Sequence, residues 1–442
     1  MERRRFVGIL GLGGLAGAVL MRRSAASDTP PATPSDTPPA APPAAPPESA
    51  TVLGGEPPAF TGPGPNLWWS SVGPYVAHPQ KLPLIQLTDR PVQLETPRAY
   101  FAQAITPTAA FFVRWHLPNL PDVDLASYRL RVTGAVEHPL ELSMAEVLAL
   151  PAVEVTAVNQ CSGNSRSRFQ PRVAGGQWGN GACGCATWRG VSLRALLERA
   201  GVRPTAVQVQ LHGMDTGNGP EGKGSHAYAK SLDLAGDALD HAVLAYAMNG
   251  EPLPALHGFP LRLVVPGYFS TYWVKAVGAI DVLEQPDDGF WMKTAYRLPD
   301  TPNGGTTPAE AATVATKPIG TMPVRSLLAN PDGQTKLLAG CPVTLRGVAF
   351  SGRGAITRVQ WSVDEGATWN TAALGADLGP FAFRTFEASW TPPHGGTFVI
   401  AIRAHDAAGA EQTDDPLWNG GGYGWNRIER QTVVVADAGG AA

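Results

Sequence analysis

Residues 343–350, 356–363 and 397–404 alternate apolar and polar side chains with a period of two. Successive side chains of an extended chain point to opposite sides, so each stretch predicts a strand with one buried face. Turn residues between them recur at the spacing of a β-sandwich. Upstream the pattern is more broken. Residues 111–114 and 261–265 are rich in β-branched and aromatic side chains and predict strands. Residues 192–201, SLRALLERAG, predict a short helix with a serine N-cap and a glycine after its last turn. Residues 146–150, ended by Pro151, predict another helical turn. Many short elements divided by Gly and Pro, without regular strand–helix–strand spacing, argue for an α+β domain over residues 59–300. A Thr-, Pro- and Gly-rich connector over 301–323 leads to the sandwich over 324–437. No internal repeat is visible.

The N-terminal segment has a different character. Glu2-Arg3-Arg4-Arg5-Phe6 opens an apolar, Gly-rich run that ends at Leu20. The run is short for a spanning helix of about 20 residues, and Arg-Arg-x-Phe ahead of it reads as a twin-arginine export signal over residues 1–26. That route carries proteins already folded and suits an enzyme whose cofactor is inserted before export. The expected destination is the periplasm, with no membrane attachment after cleavage. Residues 27–58 are Pro, Ala, Ser and Thr with almost no large apolar side chain, which predicts a disordered tether. Order is expected to begin near Leu67-Trp68-Trp69.

A length of 442 residues favours two or three domains, and a formal net charge of −3 gives no reason to expect nucleic acid as a partner. The four cysteines, Cys161, Cys183, Cys185 and Cys341, are too few for a disulfide framework. They show neither Cys-x-x-Cys nor Cys-x-x-Cys-His spacing, so a haem that takes electrons from this protein is expected on another chain. Cys161, on a Ser-Gly-Asn turn, offers a soft thiolate that can hold a redox metal. Cys183 and Cys185 read as small residues packed in a tight turn, since no further thiol or histidine clusters beside them.

Several motifs occur in one order. Phe112-Val113-Arg114-Trp115-His116-Leu117-Pro118 precedes Cys161-Ser162-Gly163-Asn164 with Arg166. Residues 181–191 (GACGCATWRGV) and 244–254 (LAYAMNGEPLP) follow, then His257-Gly258-Phe259-Pro260-Leu261-Arg262 and Val265-Pro266-Gly267. Over residues 65–435 the chain resembles the sulfite oxidase family of molybdopterin enzymes, and most of all its bacterial periplasmic sulfite dehydrogenases.

The resemblance implies an α+β molybdopterin-binding domain followed by an immunoglobulin-like β-sandwich that mediates dimerisation. It implies molybdenum–molybdopterin as the cofactor and oxidation of sulfite to sulfate. Electrons would pass singly to an external cytochrome c or haem c subunit, so either a homodimer or a heterodimer with a cytochrome is expected. Cys161 maps onto the metal ligand, and Arg114 and Arg166 onto the substrate-pocket arginines. Arginine suits an oxyanion because its planar fork donates paired hydrogen bonds and stays charged. Tyr228 and Trp178 match the pocket's tyrosine and tryptophan. His116, His257, Arg262 and Lys275 match positions that hold the pterin and its phosphate, and Asp215 matches a carboxylate for the pterin's amino groups. Trp273, in Ser270-Thr271-Tyr272-Trp273, and the Asn218-Gly219 stretch belong to the same expected cofactor shell.

Two stretches depart from relatives. Ala174-Gly175-Gly176 stands where some carry a lysine, and Ser165 where others carry a second arginine. Arg427 is a weak match for a C-terminal arginine of animal members. Two alternatives remain at this stage: a sulfane dehydrogenase or a sulfoxide- or nitrate-reducing member of the same family, and a non-enzymatic periplasmic binding protein.

Overall fold

Strands make up most of the regular structure in the computed structural model, which describes residues 75–76, 81–89, 91–218, 225–414 and 418–437. The expected export signal, the tether and the ordered start near Leu67 lie outside these residues. Among the described residues the longest α-helix is Leu193–Ala200, with eight residues. The Ser192 hydroxyl accepts from Ala195 N at 3.3 Å, and Gly201 ends the helix at φ 69°. That left-handed geometry suits glycine, which has no Cβ to clash. An earlier helix, Met144–Leu148, begins two residues before the stretch expected from the sequence. Ser143 and Glu146 make a reciprocal capping box there, which fixes the start.

Two five-stranded sheets dominate the N-terminal domain. The first runs Ser225–Asp233, Gln208–Asn218, Val277–Leu283, Leu130–Gly134, Leu140–Leu142, and only its Val277–Leu283 to Leu130–Gly134 pair is parallel. In the second, Ala152–Gln160 pairs with Cys183–Ser192, which pairs with Val243–Met248; Glu251–Pro252 and Arg262–Val264 join the last of these. Cys183 and Cys185 thus sit in a strand, not in a tight turn, and both are fully buried. A smaller sheet ends on Val113–Arg114, which pairs with Val92–Glu95 and places Arg114 at its edge. The expected strand over 111–114 is shorter than its composition suggests, because the turn Thr108–Ala110 runs directly into Phe111.

The C-terminal domain is a two-sheet sandwich. One sheet runs Arg325–Asn330, Val343–Phe350, Arg384–Trp390, Ala373–Leu374; the other runs Leu337–Leu338, Glu429–Ala436, Gly396–Asp406, Ile356–Ser362, Asn370–Thr371. Leu345, Val359, Ile400, Ile402 and Val433 fill the space between them. The segment before it is not featureless, since Thr316–Pro318 pairs with Arg297–Pro299.

The two domains share a core. Leu327, Val348, Phe350 and Phe383 of the sandwich belong to the same apolar cluster as Phe101, Trp188 and Val264. The backbones nearly touch: Met322 N donates to Gly267 O at 2.8 Å, and a Cβ on Gly352 would lie 2.0 Å from that oxygen. A buried polar network crosses the same boundary. Arg325, 2% exposed, donates to Gln160 Oε1 at 2.9 Å, to Ser165 Oγ at 2.5 Å and to Asn180 Oδ1 at 3.1 Å. Glu429 accepts from Arg98 at 2.8 Å, from Asn180 Nδ2 at 2.8 Å and from Arg168 at 3.4 Å.

Replacing Arg325 by leucine strips buried oxygens of their donor, at about 1–3 kcal/mol for each one left unpaired. Arg325→Leu should therefore lower the urea midpoint of the holoprotein; an unchanged midpoint would show that this network does not stabilise the fold.

Candidate active site

Cys161 is the first residue beyond the strand Ala152–Gln160, and its N–H still donates across the pair, to Ala182 O at 2.9 Å. Extended geometry therefore continues through it, and alternation sends Gln160 to one side and Asn159 and Cys161 to the other. Gln160 meets Arg325. Asn159 and Cys161 line a cavity with Arg114, His116, Ser162, His257, Arg262, Lys275 and Tyr296. The turn after Cys161 is pinned by its asparagine: Asn164 N donates to Cys161 O at 3.0 Å, and its Oδ1 accepts from Ala182 N at 3.0 Å. Ser165 follows in a left-handed conformation, φ 65°, and is wholly buried under Arg325.

A second chamber of about 400 Å³ adjoins the first, and Arg114, Cys161, Ser162 and Tyr296 line both. Its other walls include Gln93, Arg166, Trp178, Gly421 and Tyr423. Arg166 is 9% exposed and is tied down by backbone: Nη1 donates to Gly176 O at 3.2 Å, and Nε and Nη2 to Gly421 O at 3.3 and 3.1 Å. A Cβ on Gly175, at φ 110°, would lie 2.9 Å from its Nη1. The space beside Gly175 is thus held by the Arg166 guanidinium. Arg166 also stacks over the Tyr423 ring at 5.2 Å.

Tyr228 does not reach either chamber. Its hydroxyl donates to Thr271 O at 2.5 Å and its ring lies flat against His116, centroids 3.6 Å apart. Tyr296 stands at the junction instead, held at φ 57° and stacked on Tyr423 at 5.5 Å. A positive φ is strained for a bulky residue; here it accompanies a phenol placed beside Arg114 and Cys161. Burial pushes the Tyr296 phenol above its usual range, so it remains a proton donor. Trp178 lines the chamber as expected. Arg427 does not: it lies over the Trp425 ring at 5.7 Å and donates to the Asp414 backbone, on an outer groove. From that C-terminal segment it is Tyr423 that enters the chamber.

The far end of the first cavity is cationic. His257 contacts the Lys81 ammonium, and Lys81 also donates to Thr108 O at 2.7 Å and Phe111 O at 3.0 Å. Lys275 donates to Arg114 O at 2.6 Å. Burial, then repulsion from Arg262, brings the Lys81 ammonium down to about 7, and burial brings the Arg262 guanidinium to about 9. Burial and neighbouring cations hold His116 and His257 well below the usual imidazole range, so both are neutral. Trp273 does not line the cavity; its Nε1 donates to Tyr268 O at 3.0 Å and its ring lies under the Arg262 guanidinium, 5.6 Å away. Asp215 is likewise set back, buried behind Lys275. Lys81 carried no sequence signal, lying far from His257 in the chain and outside every matched motif.

Whether a molybdopterin fits can be judged from the polar atoms. Arg114 Nη1, both polar atoms of Asn159, Ser162 Oγ and Arg262 Nε are buried without a protein hydrogen-bond partner, and all five belong to residues that line the first cavity. Buried polar groups are nearly always paired, so this concentration marks a ligand's footprint. Clustered cations at one end suit a phosphate. No group of three or more His, Cys, Asp or Glu among the described residues could hold a metal; Cys161 offers a single thiolate, which suits a metal that arrives with its own organic ligands. The residues fit the group.

The comparisons agree with this geometry. Residues 116–291 match the model of an oxidoreductase molybdopterin binding domain, and residues 316–433 that of a Mo-co oxidoreductase dimerisation domain. Mitochondrial sulfite oxidase of Rattus norvegicus is 34% identical over 383 residues, covering 81% of this chain and 68% of that protein. Sulfite oxidase of Arabidopsis thaliana is 30% identical, over 80% of this chain and 95% of that protein. The sulfane dehydrogenase SoxCD from Paracoccus pantotrophus superposes with a TM-score of 0.67 at 26% identity, over 88% of this chain and 96% of that one. A cofactor cavity with one thiolate, a sandwich behind it and relatives along nearly the whole described length lead to one conclusion: the chain belongs to the sulfite oxidase family of molybdopterin oxidoreductases.

Proposed function

We propose that this protein oxidises sulfite to sulfate at a molybdopterin centre held by Cys161 and passes the electrons singly to a cytochrome c or haem c subunit, in the periplasm. The observation that carries the reading is the junction of the two cavities at Cys161, with Arg114 beside it and Arg166 in the outer chamber. When bound, the molybdenum centre supplies the oxygen donor and two-electron acceptor that sulfite oxidation requires. The chain's part is binding and orientation. Burial pulls the Arg114 guanidinium down, but the acidic groups around it, which would ionise before it lost its proton, keep it above its ordinary value, so it is charged at every working pH. Its unpaired Nη1 is available to an oxyanion. Arg166, fixed by Gly176 and Gly421, adds a second charge whose position costs no reorganisation on binding. The Tyr296 hydroxyl supplies a neutral donor, and the Trp178 ring closes one wall.

His257, Arg262, Lys275 and Lys81 would hold the cofactor's phosphate, and His116 its pterin. A second reading, sulfane oxidation, is favoured by the SoxCD likeness and by a chamber of about 400 Å³, roomier than a four-atom anion needs. The dimerisation-domain match supports a dimer.

Cytochrome c reduction by the purified protein, offered sulfite, thiosulfate and persulfidic sulfur in turn, separates the two. Sulfite should be turned over fastest, and Cys161→Ser should lose at least about 100-fold of the rate, more than outer contacts to a metal usually cost. Activity of that variant equal to the parent would refute the ligand assignment. Arg114→Gln should raise KM for sulfite by about 10- to 100-fold, the worth of a charged hydrogen bond, while molybdenum content stays at the parental level. An unchanged KM would remove Arg114 from substrate binding.

Two buried ammonium groups also predict a pH effect in the cofactor-free chain: Lys81 at the cationic end, and Lys230, which donates to the Trp291 backbone carbonyl. Burial brings both Lys81 and Lys230 down from 10.5 to about 7. Between pH ~7 and the ordinary thiol range near ~8.5 the unfolded chain then binds protons that the folded chain does not, so stability rises with pH. Cys183 and Cys185, pushed up to about 12 by burial, oppose the trend only above that window. The cofactor-free protein should melt at a higher temperature at the upper end of this window than at neutrality; an unchanged melting temperature would show that both ammonium groups stay charged in the folded chain.

A further inference from the structure

We infer that Asn159, with Ser162 beside it, is a further cofactor-binding residue whose carboxamide hydrogen-bonds to the molybdopterin at its metal-bearing end. This rests on the molybdopterin reading and goes beyond the residues assigned above. Asn159 is 0% exposed, yet neither Nδ2 nor Oδ1 has a partner in the protein, and Ser162 Oγ, in a residue 2% exposed, has none. Burying an amide without a hydrogen bond is costly enough that a ligand must supply one.

The direction of the side chain follows from the strand. Asn159 and Cys161 are two residues apart on extended backbone, so both face the cavity, whereas Gln160 faces Arg325. Across the ladder Asn159 is paired with Gly184, which has no side chain to offer it. Gly184 is itself dictated by packing, since a Cβ there would lie 2.7 Å from the Phe111 ring. Asn159 is thus left with the cavity alone.

A carboxamide presents N–H donors beside a carbonyl acceptor. Next to a metal thiolate, its N–H groups match sulfur ligands, and its oxygen matches an N–H of the organic cofactor. A donor to a ligating sulfur spreads the charge of the reduced metal and raises its potential.

The test uses purified holoenzyme, parent and Asn159→Leu, a variant of similar volume that removes only polar atoms. Molybdenum and pterin per chain are followed through prolonged dialysis, and the midpoint potential of the metal is titrated by electron paramagnetic resonance. Molybdenum should leave about ten-fold faster and the potential should fall; either change supports the contact. Retention and potential both equal to the parent would overturn it. A parent without molybdenum would sink the cofactor reading, and this inference with it. Leucine removes no bond within the protein, so near-UV circular dichroism of the variant should match the parent. A variant that fails to fold would make Asn159 a structural residue and overturn the inference as well.

Discussion

The alternation of side chains at the end of the strand Ala152–Gln160 is the constraint on which the site depends. One residue, Gln160, is fastened to Arg325 of the sandwich, and its two neighbours are thereby aimed into the cofactor cavity. A slip of one position would exchange the faces, placing Gln160 in the cavity and the Cys161 thiol against the other domain. The register is held on both sides, by the ladder to Cys183–Ser192 and by the buried Arg325 and Glu429 networks. The sandwich therefore takes part in building the site. It supplies the cation that locks the loop after Cys161, and it sends Gly421 and Tyr423 into the outer chamber.

The cavity is poor in internal compensation. Lys81, Arg262, Lys275 and Arg114 lie in or around it, and Asp215, the carboxylate among them, is set back behind Lys275. Burial, and after it the neighbouring cations, lowers the proton affinities of Lys81 and His257, which records the cost of collecting such groups in a closed place. Unpaired atoms on Asn159, Ser162, Arg114 and Arg262 add to it. Such conflicts between local stability and global fold collect at functional sites. An anionic, hydrogen-bond-rich cofactor relieves both at once, which links loading of the cofactor to stability.

Tyr296 shows how backbone strain and site geometry combine. Its left-handed conformation and its stack on Tyr423 bring a phenol to the junction of two cavities. Tyr228, in a motif that reads well in the sequence, is instead consumed by packing against His116 and bonding to Thr271. Trp273 and Asp215 are similar cases, acting behind Arg262 and Lys275 instead of at the cavity wall.

Much was legible from the sequence. The sandwich strands follow from period-two alternation and the helix Leu193–Ala200 from its Ser and Gly ends; of the cavity-lining residues, Cys161, Arg114, Arg166, His116, His257 and Arg262 stand in ordered motifs and Lys275 was singled out by the resemblance. These are local signals: a cap, a period or a motif is contained within a few neighbouring residues. Tyr296, Tyr423, Lys81 and the unpaired carboxamide of Asn159 were decided only by the tertiary structure. Each owes its place to a contact between segments far apart in the chain, and whether a buried polar group has a partner depends on everything packed around it. The sequence by itself determines which chemistry is carried, because side-chain type and spacing are written in it; position and solvation are settled only when distant segments close on one another.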